Sequence, residues 1–166
     1  MNDLIDWQRF WCKSKNDIEL DMNGFLPNPH ADNLIPDTNI FDFDKINSIP
    51  CLVLLGEAGS GKSTTIECEF KKLIENNKDA ILVYKNLNEY CDESRLINEI
   101  FQSEVITKWV QSDKQLILFL DSYDECLSEI KKLPQILKNQ LKLFQLYSSR
   151  LHMRIICRSG SWNDSL

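Results

Sequence analysis

A lysine, a serine hydroxyl, three carboxylates and an arginine stand at positions where phosphate chemistry could use them. Residues Gly56-Glu57-Ala58-Gly59-Ser60-Gly61-Lys62-Ser63 fit the pattern G-x-x-x-x-G-K-[ST] in full. Glycines, free of a Cβ clash, let such a loop curl so that successive backbone N–H groups point inward at an anion. Lys62 would then place its ammonium on the β and γ phosphates and Ser63 its hydroxyl on Mg²⁺. Thr64 completes the cradle in the helix that starts there, whose positive dipole end aims at the same anion. A chance match in a chain of 166 residues has odds on the order of 1% or less. The context lowers them further, because an apolar run precedes the loop and an amphipathic helix with Ile66, Phe70 and Leu73 on one face follows it.

Two further stretches place charge at the end of an apolar run. Leu116-Ile117-Leu118-Phe119-Leu120-Asp121 reads as a strand ending in a carboxylate, at the sheet edge where open α/β folds bind ligands. Asp121 there would hold Mg²⁺ directly or through water, since that cation takes oxygen ligands and keeps several waters. Asp124 and Glu125 follow within one turn and suit the orientation or deprotonation of a water attacking the γ phosphate. Arg154-Ile155-Ile156-Cys157-Arg158 is another apolar strand with a polar end, and Arg158 could sense or neutralise the γ phosphate. Asp or Arg at a strand end is a weak signal alone, since turns favour Asp and surface arginines commonly pair with carboxylates. Set 58 residues after Ser63 in a chain that holds the glycine loop, Asp121 carries far more weight.

The elements that must position these groups alternate. Strands are expected over 51–55, 80–84, 115–120 and 153–157. Helices are expected over 62–76 and 94–112, the latter striped by Ile97, Phe101, Val105 and Trp109, and from about 124 onward with Pro134 interrupting or restarting the last one. Its inner stripe is Leu137, Leu141 and Phe144. Strand-helix alternation implies right-handed crossovers and a parallel sheet with helices on both faces. Upstream, residues 3–13 read as a short amphipathic helix carrying Leu4 and Trp7. Residues 21–50 are broken by Asn23-Gly24, Pro27, Pro29, Pro36 and Pro50 into an extended strap with strand-like pieces at 24–26 and 39–43. The expected division is therefore a helix and extended leader over 1–49 and an α/β core over 50–166.

Composition bounds what such a chain could be. Hydrophobic content of 43% and charged content of 27% are those of a soluble globular protein. No apolar run approaches the roughly 20 residues that span a bilayer. The acidic start, Met1-Asn2-Asp3-Leu4-Ile5-Asp6-Trp7, lacks a signal-peptide layout, so a cytoplasmic protein is expected, without membrane contact. The net charge of −6 gives no general attraction to nucleic acid. Lys131, Lys132, Lys138, Lys142, Arg150 and Arg154 read as a solvated helix face. The six cysteines are dispersed without a C-x-x-C pair and read as buried reduced thiols, and neither His30 nor His152 has neighbours at metal-ligand spacing.

Taken together, G-E-A-G-S-G-K-S-T at 56–64, L-I-L-F-L-D-S-Y-D-E at 116–125 and R-I-I-C-R-S at 154–159 resemble the Walker A, Walker B and sensor-1 segments of NACHT-type STAND NTPases, with bacterial members, some of them antiphage, most similar. The likeness covers about residues 50–160, and G-F-L-P-N-P at 24–29 resembles the segment that precedes the loop in such proteins. It implies a three-layer P-loop core of about four parallel strands in order 1-4-3-2, which leaves the first strand at an edge. It also implies ATP or another NTP with Mg²⁺ as ligands, Lys62 and Ser63 as phosphate and metal residues, Asp121 as the metal-binding acid, Asp124 and Glu125 as the acidic pair and Arg158 as sensor 1. Relatives continue into helical, winged-helix and sensor domains that close over the nucleotide, so this chain is expected to be a truncated core with weak turnover or none. Self-association, or association with a longer homologue, follows from the open edge. Two rivals are a non-enzymatic nucleotide-binding stub that regulates such oligomers and a small-molecule or nucleotide kinase, although no arginine-rich lid is visible for the latter.

Overall fold

A computed structural model describes residues 9–14, 20, 28 and 39–162. The described residues fall into two compact units that divide between Ile49 and Pro50. In the first unit, strand β1 (Trp11–Cys12) pairs antiparallel with β2 (Ile40–Phe41), with Trp11 opposite Phe41, and helix α1 (Phe43–Ile46) follows. The expected helix over 3–13 therefore does not extend through Trp11 and Cys12, whose side chains suit a strand with apolar partners; its first six residues, like the strand-like piece at 24–26, lie outside the described residues. The strand-like piece at 39–43 is real at Ile40–Phe41 and becomes helix at Phe43.

The second unit alternates as the hydrophobic pattern requires. Strand β3 (Cys51–Gly56) leads to helix α2 (Lys62–Asn76), β4 (Ile81–Asn86), a single turn α3 (Glu93–Leu96) running into a π-helical turn over Ile97–Phe101, and α4 (Glu104–Val110). Then come β5 (Leu116–Asp121), α5 (Tyr123–Glu129), α6 (Leu133–Leu143) and β6 (Leu151–Arg158). The four long strands form one parallel sheet in the order β3-β6-β5-β4, which is 1-4-3-2 in order of appearance. Among the described residues β3 pairs only with β6 and is thus an edge.

Strand parity sorts the side chains between two layers. Leu116, Leu118 and Leu120 of β5, with Met153, Ile155 and Cys157 of β6, join the core built with Leu96, Ile100, Trp109, Cys126, Leu133 and Leu137. On the opposite face Phe119 meets Phe70 of α2 edge-on at 5.4 Å, and Phe70 meets Tyr84 of β4 at 5.5 Å. The sheet is covered on both faces, and β5, buried along its whole length, is its centre.

Three expectations change here. The single helix over 94–112 is broken at Gln102–Ser103: the Ser103 hydroxyl donates to the Ile100 carbonyl at 3.1 Å and accepts from the Ile106 amide at 3.5 Å, which starts α4 anew. Of the expected stripe Phe101 and Trp109 are buried, but after the π turn and this restart Ile106 takes the inner place of Val105, which is 45% exposed. Arg150 and Arg154 are not on a solvated helix face. Arg150 donates to the carbonyls of Trp109, Val110 and Lys114, and Arg154 is fully buried on β6, where burial pulls its guanidinium down to about 10 and its Nη1 donates to the Met153 carbonyl at 3.0 Å. Of the cysteines only Cys126 and Cys157 are buried, and burial pushes both thiols up to about 11; Cys12, Cys51, Cys68 and Cys91 are exposed. Pro134, by contrast, restarts a helix, standing in the first turn of α6 where its missing N–H costs nothing. Among the described residues no helix is long and apolar enough to cross a membrane.

Candidate functional site

The strand order brings the three charged strand ends side by side. β6 lies between β3 and β5, with Gly56 in register with Arg158, and Asp121 ends the next strand. An open cleft of about 240 Å³ lies over these ends, lined by Lys62, Ser63, Asp121, Asp124, Glu125 and Arg158 with the backbone of Ala58, Gly59 and Gly61.

The glycine loop forms the first wall. Gly59 and Gly61 have φ of 73° and 75°, left-handed conformations in which a side chain is strained. Gly61 is also the N-cap of α2, whose first turn has neither a side-chain cap nor an acidic residue of its own beside its orphan amides. A Cβ on Gly56 would come within 3.0 Å of Lys62 Cδ, because the lysine chain folds back over the loop. Lys62 Nζ donates to the carbonyls of Gly56 at 2.6 Å and Glu57 at 2.7 Å and lies 3.4 Å from Ser60 Oγ. Burial in this loop pulls the ammonium below the ordinary lysine value, with the Asp124 carboxylate acting against it. Thr64 is exposed and outside the cleft lining.

Asp121 forms the second wall and is only 3% exposed. Its Oδ1 accepts the Ser122 amide and its Oδ2 the Tyr84 hydroxyl, both at 2.7 Å. Ser122 holds φ 58° and ψ 40°, the left-handed region at a non-glycine residue, which costs on the order of 1–3 kcal/mol. That strain turns the chain from β5 into α5 and aims the Asp124-Glu125 turn at the cleft. Ser63 and Asp121 together are hard oxygen donors of the kind Mg²⁺ takes. Among the described residues no group of three or more His, Cys, Asp or Glu side chains could hold a metal unaided. A cation here would draw its remaining oxygens from phosphate and water, as Mg²⁺ ordinarily does.

In the third wall one guanidinium serves two carboxylates. Arg158 Nε lies 3.0 Å from Asp124 Oδ2, its Nη2 lies 3.0 Å from Glu125 Oε1, and its backbone amide donates to Asp124 Oδ1 at 3.1 Å. The other Glu125 oxygen, Oε2, accepts from Asn88 Nδ2 at 3.2 Å. No family model matches this chain, and no curated protein does. Its chemistry therefore has to be argued from the cleft itself. Of the sequence-derived residues, Lys62, Ser63, Asp121, Asp124, Glu125 and Arg158 share that cleft, with Gly56, Glu57 and Ser60 behind them as the lysine's partners. Sequence reasoning missed Tyr84 and Asn88. Strand order 1-4-3-2 puts β4 beside β5, and Tyr84 shares strand parity with Asn86, the register partner of Asp121; that parity was the available signal for Tyr84.

Proposed function

We propose that this chain is the ATP- and Mg²⁺-binding NTPase core of a STAND-type signalling switch of the NACHT kind, similar to bacterial defence proteins. The observation that carries the reading is the convergence of a left-handed glycine loop with its lysine, a buried strand-end aspartate and a strand-end arginine on one cleft. At about 240 Å³ the cleft is smaller than the ~300–1,000 Å³ of whole-ligand pockets, which suits a phosphate chain with the nucleoside lying outside it.

In this reading Lys62 leaves the Gly56 and Glu57 carbonyls to bind the β and γ phosphates, and the amides of the loop and first turn of α2 hold the rest of the chain. Ser63 and Asp121 hold Mg²⁺, which when bound neutralises phosphate charge. Arg158 exchanges its carboxylate partners for the γ phosphate, and that exchange frees Asp124 and Glu125 to orient a water. Replacing Asp121 by Asn should weaken binding of a non-hydrolysable ATP analogue in Mg²⁺ by roughly tenfold or more while leaving affinity in EDTA nearly unchanged. An equal loss in both conditions would make Asp121 a structural residue.

One observation favours a second reading, a module that holds nucleotide without turnover: both Glu125 oxygens are engaged, by Arg158 and Asn88. Phosphate release by purified protein separates the two. The NTPase reading expects measurable ATP hydrolysis that Glu125→Gln removes, and equal release from both proteins supports the module.

A further inference from the structure

We infer that Tyr84 is a positioning residue for the metal-binding carboxylate, an inference that rests on the nucleotide reading above. Asp121 has one donor on each oxygen, the Ser122 amide on Oδ1 and the Tyr84 hydroxyl on Oδ2. Each carboxylate oxygen has two acceptor sites, so this pair fixes the plane of the group and leaves capacity on both oxygens for a cation or its waters. Rotation about Cβ–Cγ would break both bonds at a carboxylate that is only 3% exposed, where an unmet polar group is costly.

The hydroxyl is itself held in place. The Tyr84 ring lies against Phe119, two residues before Asp121, with centroids 6.4 Å apart and planes 22° apart. Phe70 of α2 meets both rings edge-on, at 5.5 Å and 5.4 Å. Phe70 stands two turns along the helix that begins at Lys62, so the same aromatic cluster that orients the Tyr84 hydroxyl also packs the helix of the glycine loop onto the sheet. The loop and the aspartate thus share one support, and Tyr84 is the member with a polar atom on the aspartate.

A purely structural tyrosine and a positioning one differ in how they affect the metal. Tyr84→Phe keeps the ring and removes the hydroxyl. In a titration of Mg²⁺ against protein and a fluorescent non-hydrolysable ATP analogue, the half-saturating Mg²⁺ concentration should rise roughly tenfold in Tyr84→Phe, the scale on which outer partners of metal ligands act. Analogue affinity in EDTA should be unchanged. An unchanged Mg²⁺ requirement, or a loss of affinity equal in Mg²⁺ and EDTA, would overturn the positioning role while wild-type binding upholds the nucleotide reading. Absence of analogue binding by the wild type would overturn both.

Discussion

Replacing Lys62 by alanine should abolish triphosphate binding at concentrations that saturate the wild type. The ammonium is the one cation on the glycine loop, and a hydrogen bond to a charged group contributes about 1.5–3 kcal/mol. Contacts to two phosphates would therefore contribute upward of about 3 kcal/mol, a loss of more than about 100-fold. The fold should survive. Among the described residues Lys62 Nζ bonds to the Gly56 and Glu57 carbonyls and to Ser60 Oγ, all beside an open cleft where water can replace it. Circular dichroism and thermal melting should be close to wild type, and an equilibrium titration with a labelled analogue reads the effect. Wild-type affinity in Lys62→Ala would contradict the assignment of the loop.

The largest loss of stability should come from Trp109→Ala, remote from the cleft. Trp109 is fully buried, its Nε1 donates to the Lys114 carbonyl at 2.9 Å, and the rings of Phe144 and Tyr147 meet it edge-on at 5.6 and 5.7 Å. Arg150 lies 4.9 Å over its face and donates to the Trp109 and Val110 carbonyls at the end of α4 and to the Lys114 carbonyl in the loop that follows. Removing the indole takes away the surface on which that guanidinium and two aromatic rings pack. Large-to-small changes of this kind cost about 3–5 kcal/mol. For a chain of this size that lowers Tm by roughly 6–20 °C. A loss under about 1 kcal/mol in urea titration would mean that the site repacks and that this corner is not a keystone of the core.

Much of the core was legible because its signals are local. Apolar runs ending in Gly56, Asp121 and Arg158 declare buried parallel strands whose charged ends meet at one edge, and Pro134 declares the start of a helix. The strand order came from resemblance, and the sheet has that order. What the sequence hid depends on which groups meet. The i,i+4 spacing of Ile97, Phe101, Val105 and Trp109 suggested one uninterrupted helix, yet the Ser103 hydroxyl offered the backbone a competing set of bonds and shifted the buried face to Ile106. Arg154 looked like one more surface cation because charge spacing does not reveal which strand face a residue occupies. Cys68 and Cys91 were expected to be buried with the other dispersed cysteines, but Cys68, between Glu67 and Glu69, is exposed on α2 and Cys91, beside Asp92, is exposed in a loop. In the cleft, sequence supplied Asp124, Glu125 and Arg158 as separate participants, and only the geometry reveals that both carboxylates pair with the one guanidinium.

That shared pairing also bears on the affinity the proposed reading expects. The Arg158–Glu125 pair, with side chains 49% and 43% exposed, contributes little, about 0–1 kcal/mol, whereas Asp124 is only 8% exposed and would be left a nearly buried, unpaired carboxylate if Arg158 turned away. In the proposed reading a triphosphate would therefore take Arg158 from Glu125 more readily than from Asp124.

The most direct test is a calorimetric titration of wild-type protein and Lys62→Ala with a non-hydrolysable ATP analogue in Mg²⁺. Saturable one-to-one binding to the wild type, lost in Lys62→Ala, is the expected result. Absence of saturable binding to the wild type, or equal binding to both, would contradict the assignment of this cleft to a nucleoside triphosphate.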